Sequence, residues 1–277
     1  TVGFRMSVKE MLYPVVGSRT EGSRLWDVDG NEYIDITMGF GVHLFGYRPD
    51  FIMSTLNEYV KNGLQLGPRS ELIGETAELI CEFTNMERVA FCNTGTESVM
   101  AAIRLARAAT GKERIGMFRN SYHGHSDTTL AEGQIESEDG SLFAVTPGIP
   151  QSSLKDMLVL DYGDNDSLSK IQQHADELAA VLVEPVQSRD LTLQPVEFLH
   201  ELRELTTKLG VTLIFDEMIT GFRCHPGGAQ AFFGIEADIA TYGKILGGTL
   251  PIGVVAGKAK YLDGIDGGGL WKYGDNS

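Results

Sequence analysis

The sequence is poor in cysteine: 277 residues contain three, Cys81, Cys92 and Cys224. They show neither metal-ligand spacing nor a paired framework. That argues against a structural metal or a disulfide scaffold, and points to a cytoplasmic protein. Cations are also short. Lys and Arg total 23 against 38 Asp and Glu, a net charge of -15. This disfavours nucleic-acid binding through phosphate neutralisation. An acidic surface of this kind serves solubility. No apolar run approaches membrane-spanning length and no signal peptide opens the chain, so no membrane role is expected. No G-x-G-x-x-G or P-loop stands at a strand–helix junction, which argues against a nucleotide-binding fold. The chain starts at Thr1 and ends in Gly274-Asp-Asn-Ser277, which reads as a segment of a longer polypeptide.

Glycine, by contrast, is abundant at 33 residues. Several glycines frame one lysine, in Tyr242-Gly-Lys-Ile-Leu-Gly-Gly-Thr-Leu-Pro251. Glycine lets backbone approach a flat ligand closely. Upstream, the apolar run Leu213-Ile-Phe ends in Asp216 and Glu217. A strand-end carboxylate with a glycine-framed lysine suggests a Schiff-base site: Lys244 carries a cofactor aldehyde and Asp216 keeps a pyridinium nitrogen protonated. The bland reading is that Asp216 caps a turn and Lys244 is solvated.

Residues 1–25 read as an arm. Two alternating runs around Asp29-Gly30-Asn31 predict a β-hairpin within Leu25–Ile36. His43, in a glycine- and aromatic-rich stretch, reads as structural or as a pocket wall. Apolar spacing predicts helices over 50–61 and 70–83. From Arg88, short apolar runs alternate with helical stretches: 89–92, 115–118, 157–160, 180–183, 211–215, 239–241 and 252–256. This pattern predicts a largely parallel sheet covered on both faces, with ligands outside the carboxyl ends of the strands. The acidic stretch Glu132–Asp139 reads as a solvated loop or a lid.

Four strand ends carry candidate chemistry. Asn93-Thr-Gly-Thr-Glu-Ser98 opens a helix, so Gly95 and Thr96 can offer amides to a phosphate; plain capping by Thr94 or Thr96 is the alternative. Tyr122 and His123, followed by Gly124, suit a platform for a flat ring. His123, His125 and Asp127 have a spacing that invites a metal, but no further ligand is evident and none is expected. Glu184 closes a buried strand and either orients a neighbour or caps a turn. The fourth strand end is Asp216. A phosphate cradle, a stacking ring, a carboxylate and a lysine in this order match the needs of pyridoxal phosphate.

The run Leu213–Arg223, followed by Tyr-Gly-Lys-Ile-Leu-Gly-Gly-Thr-Leu-Pro-Ile-Gly253, resembles class III pyridoxal-phosphate aminotransferases of fold type I. Within them it looks most similar to the glutamate-1-semialdehyde aminomutase branch. The resemblance implies an α/β fold, with an N-terminal arm and hairpin over 1–45 and a cofactor-binding large domain over 46–277. It also implies a smaller C-terminal domain beyond Ser277. It assigns the Schiff base and proton shuttle to Lys244, the pyridine nitrogen to Asp216, the ring faces to Tyr122 and Met218, and the phosphate to Gly95 and Thr96. Finer features, Met38–Gly46, Glu184–Arg189 and Leu193–Leu199, look like aminotransferase domains of hybrid polyketide and nonribosomal peptide synthetases. Those place an amine on a β-ketoacyl chain tethered by phosphopantetheine to an acyl carrier protein. The implied partners are therefore an amino-acid donor, a carrier protein and a second subunit in a homodimer. The alternatives are a free-standing transaminase or aminomutase acting on small amino acids, or an inactive cofactor-binding fragment. Ile219 stands where many class III members place a glutamine, and Arg189 where a gating glutamate often stands.

Overall fold

The computed structural model describes residues 15–63, 69–133 and 142–265. By its contacts the chain divides into two units, Thr1–Leu66 and Gly67–Ser277.

In the first unit, β1 (Gly17–Glu21), β2 (Arg24–Asp27) and β3 (Glu32–Ile34) form a three-stranded antiparallel sheet in that order. The expected hairpin is β2–β3. Its turn is organised by Asp27, which is 7% exposed. The Asp27 carboxylate accepts from the Asp29 and Asn31 amides, the Asn31 side chain and the Tyr33 hydroxyl. This is an Asx-type device that fixes a short loop without a core beneath it. Part of the expected arm is in fact strand β1. Its side chains are mostly exposed, so it shows no alternation to read. The short α1 (Met38–Gly41) and the helix α2 (Asp50–Asn62) complete the unit.

The second unit holds α3 (Leu72–Thr84), β4 (Arg88–Cys92), α4 (Gly95–Thr110), β5 (Arg114–Phe118), β6 (Ala131–Gly133), β7 (Leu142–Ala144), β8 (Met157–Leu160), α5 (Asn165–Gln173), β9 (Leu178–Val183), α6 (Val196–Leu209), β10 (Thr212–Asp216), α7 (Gly228–Phe233), β11 (Ile239–Tyr242), β12 (Gly253–Gly257) and α8 (Ala259–Leu262). Seven strands form one sheet in the order β4-β12-β11-β10-β9-β5-β8. It is mostly parallel, as the alternating pattern predicts. The exception is β12, which runs antiparallel to both β11 and β4.

The apolar strands are continuous because both faces are covered. Leu178 to Val183 are all 0% exposed. Alternate residues feed two cores. Val181, Val183, Leu213 and Phe215 pack with Phe198, Leu199 and Leu202 of α6. Ala180, Leu182 and Ile214 pack on the other face with Val99, Ala102, Ile103 and Ala106 of α4. Each such fully buried aliphatic side chain is worth about 1.5–3 kcal/mol.

The expected solvated loop over Glu132–Asp139 is corrected at its start. Glu132 lies in β6, which pairs with β7, and its side chain is only 21% exposed beside Arg119. Residues 134–141 lie outside the described part. Among the described residues, no helix is long and apolar enough to cross a membrane.

Candidate active site

The carboxyl ends of β4, β5, β9, β10 and β11 converge, as the sheet order requires. The start of α4 is built by a capping box: Thr94 accepts from the Glu97 amide, while the Glu97 carboxylate accepts from the Asn93 and Thr94 amides. That leaves the Gly95 and Thr96 amides without an acceptor among the described residues. Unpartnered first-turn N–H groups and the helix dipole form a site for an anion.

The loop after β5 closes onto this helix start. Gly124 has φ +87°, and a Cβ there would lie 2.6 Å from Thr96 Oγ1. Only glycine meets both conditions. The same loop buries His123, which is 2% exposed. His123 Nδ1 donates to Asp216 Oδ2 at 2.7 Å. Asp216, at the end of β10, also accepts from the Met218 amide and the Thr241 hydroxyl. Asp216 is thus a buried carboxylate held from three sides, not a simple turn cap.

Met218 follows on the same loop and fits between two glycines. A Cβ on Gly95 would lie 2.7 Å from its sulfur, and one on Gly243 2.8 Å. Glu184, beyond β9, accepts from the Tyr122 and Ser188 amides. Burial pushes its carboxyl above the usual range, and neighbouring Asp216 adds to that, against the pull of His123. Lys244 follows β11 with φ +45°. Burial lowers the pKa of its amine, partly opposed by Asp216 and Glu184. A partly buried amine with a lowered pKa spends more of its time neutral than a solvated one, and the neutral form is the one that attacks a carbonyl.

All eight expected site residues line one cavity of about 200 Å³: Gly95, Thr96, Tyr122, His123, Glu184, Asp216, Met218 and Lys244. Ile219 and Val99 add apolar wall. The donor set fits pyridoxal phosphate: acceptorless amides for the phosphate, a buried carboxylate for the ring nitrogen, and an amine for the aldehyde. Of the other residues considered, His125 turns its amide to Thr96 Oγ1, and Asp127 opens a short 3-10 turn. Among the described residues no group of three acids, histidines or cysteines could hold a metal ion. His43 lies in the first unit, tilted against Tyr47. Sequence reasoning missed Gln187 and Glu217 as organisers of the site loops: Gln187 meets a carbonyl 68 residues away, and Glu217 meets the Ala229 and Gln230 amides across an irregular loop with no periodicity to read.

A family model for class-III aminotransferases matches residues 5–273. A glutamate-1-semialdehyde 2,1-aminomutase of Methanosphaera stadtmanae is 40% identical over 255 residues, 91% of this chain and 59% of that protein. An omega-transaminase structure from Sphaerobacter thermophilus superposes with a TM-score of 0.87 at 36% identity, covering 96% of this chain and 63% of that one. A transaminase structure with pyridoxal phosphate bound gives 0.83 at 32% identity, covering 94% and 61%. The chain therefore spans less than two thirds of the length of these relatives.

Proposed function

The chain belongs to the class-III aminotransferases, and from that premise we propose that the full protein is a pyridoxal-phosphate enzyme moving amino groups between small amino and oxo compounds. The observation that supports this best is the single cavity in which Lys244, Asp216 and the start of α4 meet. Bound cofactor would supply an electron-withdrawing ring that stabilises the charge left when a substrate carbon loses its proton. The remaining work falls to this chain's own residues. The amides of Gly95 and Thr96 would hold the cofactor's phosphate. Tyr122 and Met218 would confine its ring. Asp216, fixed by the 2.7 Å contact with His123, would accept the ring N–H and keep it protonated. Lys244 would hold the cofactor through its amine, and that amine, its pKa lowered by burial, would take and return the substrate proton. With the cofactor bound, the site would pass an amino group from a donor amino acid, which leaves as its oxo acid, to an oxo acceptor, which leaves as the amine.

The acceptor has two readings. Free amino and oxo acids, including the semialdehyde named for the aminomutase relative, are favoured by 40% identity over nine tenths of the chain. A β-ketoacyl chain on a carrier protein is favoured by the cavity wall. There Ile219 is apolar, and Lys244 is the cation among the described lining residues, so an acyl end without a free carboxylate suits the wall. A homodimer is proposed on the outer face of α3, where Leu72, Ile73, Leu79 and Phe83 are exposed.

The test uses the full-length protein, an amino donor, glutamate 1-semialdehyde, and a β-keto acid offered both free and on a carrier protein. Product is followed by mass. Isomerised semialdehyde or aminated free acid supports the first reading. Amination on the carrier alone moves the assignment to the second. Absence of all three, with cofactor bound at Lys244, rejects both substrate classes and keeps the cofactor assignment.

A further inference from the structure

The Tyr122 platform does not stand on β5 directly. It follows a tight turn, Phe118–Ser121, closed by the Ser121 amide donating to the Phe118 carbonyl at 3.2 Å. The third residue of this turn, Asn120, has φ +64°. Left-handed backbone disfavours a residue with a side chain, although asparagine tolerates it better than most. Such a turn persists when its surroundings over-determine it. The Arg119 amide donates to the Leu160 carbonyl at 2.7 Å and the Ser121 hydroxyl to the Phe118 carbonyl; further side-chain holds come from one short segment on the neighbouring strand's loop, Glu184-Pro-Val-Gln187.

Gln187, 2% exposed, donates from Nε2 to the Arg119 carbonyl at 2.8 Å, at the front of the turn. Glu184, 5% exposed, accepts the Tyr122 amide at 3.0 Å, just behind it. The gripping segment is itself anchored: Tyr162 donates its hydroxyl to the Pro185 carbonyl at 2.7 Å, and Glu184 takes the Ser188 amide at 3.2 Å. The Arg119 side chain is tied to Asp161, beyond β8, at 2.7 Å.

We propose that Gln187 and Glu184 form a two-point clamp that holds the strained Asn120 turn and thereby sets the height and tilt of Tyr122 and His123 over the cavity. Gln187 does not line the cavity. It is a positioning residue acting through the turn. Its functional consequence rests on the cofactor reading above, whereas the clamp itself does not.

Two measurements on the full-length protein separate those parts. Amide exchange at Ser121–His123 in cofactor-free protein reads the clamp. Visible absorbance and induced circular dichroism on titration with pyridoxal phosphate read the platform. Gln187→Leu should speed exchange and weaken cofactor binding by about tenfold each, the scale of one lost internal hydrogen bond. Asn120→Gly, which removes the strain, should restore most of both in the double variant. Gln187→Met, of similar length and lacking the donor, is read the same way if Gln187→Leu does not fold. Unchanged exchange in the glutamine variant overturns the clamp, and so does a defect that Asn120→Gly leaves in place. Faster exchange with rescue, in a protein that binds no cofactor even as the parent, keeps the clamp and sinks the cofactor reading.

Discussion

Lys244 holds an unusual backbone for a long side chain. Its φ of +45° costs about 1–3 kcal/mol, and the turn that follows holds it there: Leu246 donates to the Gly243 carbonyl at 3.1 Å and Gly248 to Ile245 at 2.9 Å. Strain at a partly buried amine near Asp216 and Glu184 marks a residue held for position. Lys244→Ala should cut amino transfer by about 10²–10⁴-fold or more. Cofactor should still bind, since the phosphate and ring contacts remain, but it should dialyse away freely; parent-like turnover would defeat the assignment. The lowered pKa of Lys244 also fixes a sign for stability. Below its folded value both states bind the proton. Between that value and the ordinary 10.5 the unfolded chain binds more protons than the folded one, so unfolding free energy rises with pH across that window and the gain is complete above it. In cofactor-free protein, urea titrations from neutral pH upward should show this rise in the parent and lack it in Lys244→Met. Parallel curves for the two proteins would remove the argument that burial lowers the pKa of the amine.

At the scale of elements, the site depends on how the loop after β10 is held, and that is the work of Glu217. It is 1% exposed and does not line the cavity. Its carboxylate accepts from the Ala229 and Gln230 amides at the start of α7 and from the Thr220 hydroxyl. Its own amide donates to Thr241 of β11. Gln230 in turn donates to the Tyr242 hydroxyl at 2.9 Å, two residues before Lys244. The loop bearing Met218 and Ile219 and the strand that leads into Lys244, β11, are thereby joined through α7. Glu217→Ala leaves three buried donors without their acceptor, and should destabilise the protein by about 3 kcal/mol or more. Chemical denaturation checks this; a loss under about 1 kcal/mol would show that water replaces the carboxylate. Glu217→Gln should fall between the two, because an amide oxygen still accepts but its NH₂ faces other donors.

For the whole molecule, the parts legible in the sequence are those that the sheet makes repetitive. The apolar run 180–183 reads as a strand, and in the structure that strand is Leu178–Val183, covered on both faces with every residue buried. Asp216 stands out as an acid closing an apolar run, where such a sheet presents chemistry, and Lys244 by the glycines that frame it. What was not legible depends on distant partners. Gln187 meets a carbonyl 68 residues away, and nothing in Gly253–Gly257 announces that this strand runs against its neighbours. That reversal nonetheless completes the site. Strand β12 pairs antiparallel with β4, placing Gly253 opposite Cys92. There a Cβ would lie 2.0 Å from the carbonyl oxygen of Thr94, the N-cap of α4. Backbone cannot yield to such a contact, so Gly253→Ala must separate β12 from the start of α4. It should lose about 2–4 kcal/mol of stability and weaken cofactor binding. Gly74→Ala is the matched control. It lies inside α3 with nothing within 4 Å of the added carbon, and should gain about 0.5–1 kcal/mol from helix propensity. Thermal unfolding and cofactor titration on both variants give the answer. A Gly253→Ala protein as stable as the parent would mean that β12 does not press on the helix start, and the convergence of strand ends would then need another cause.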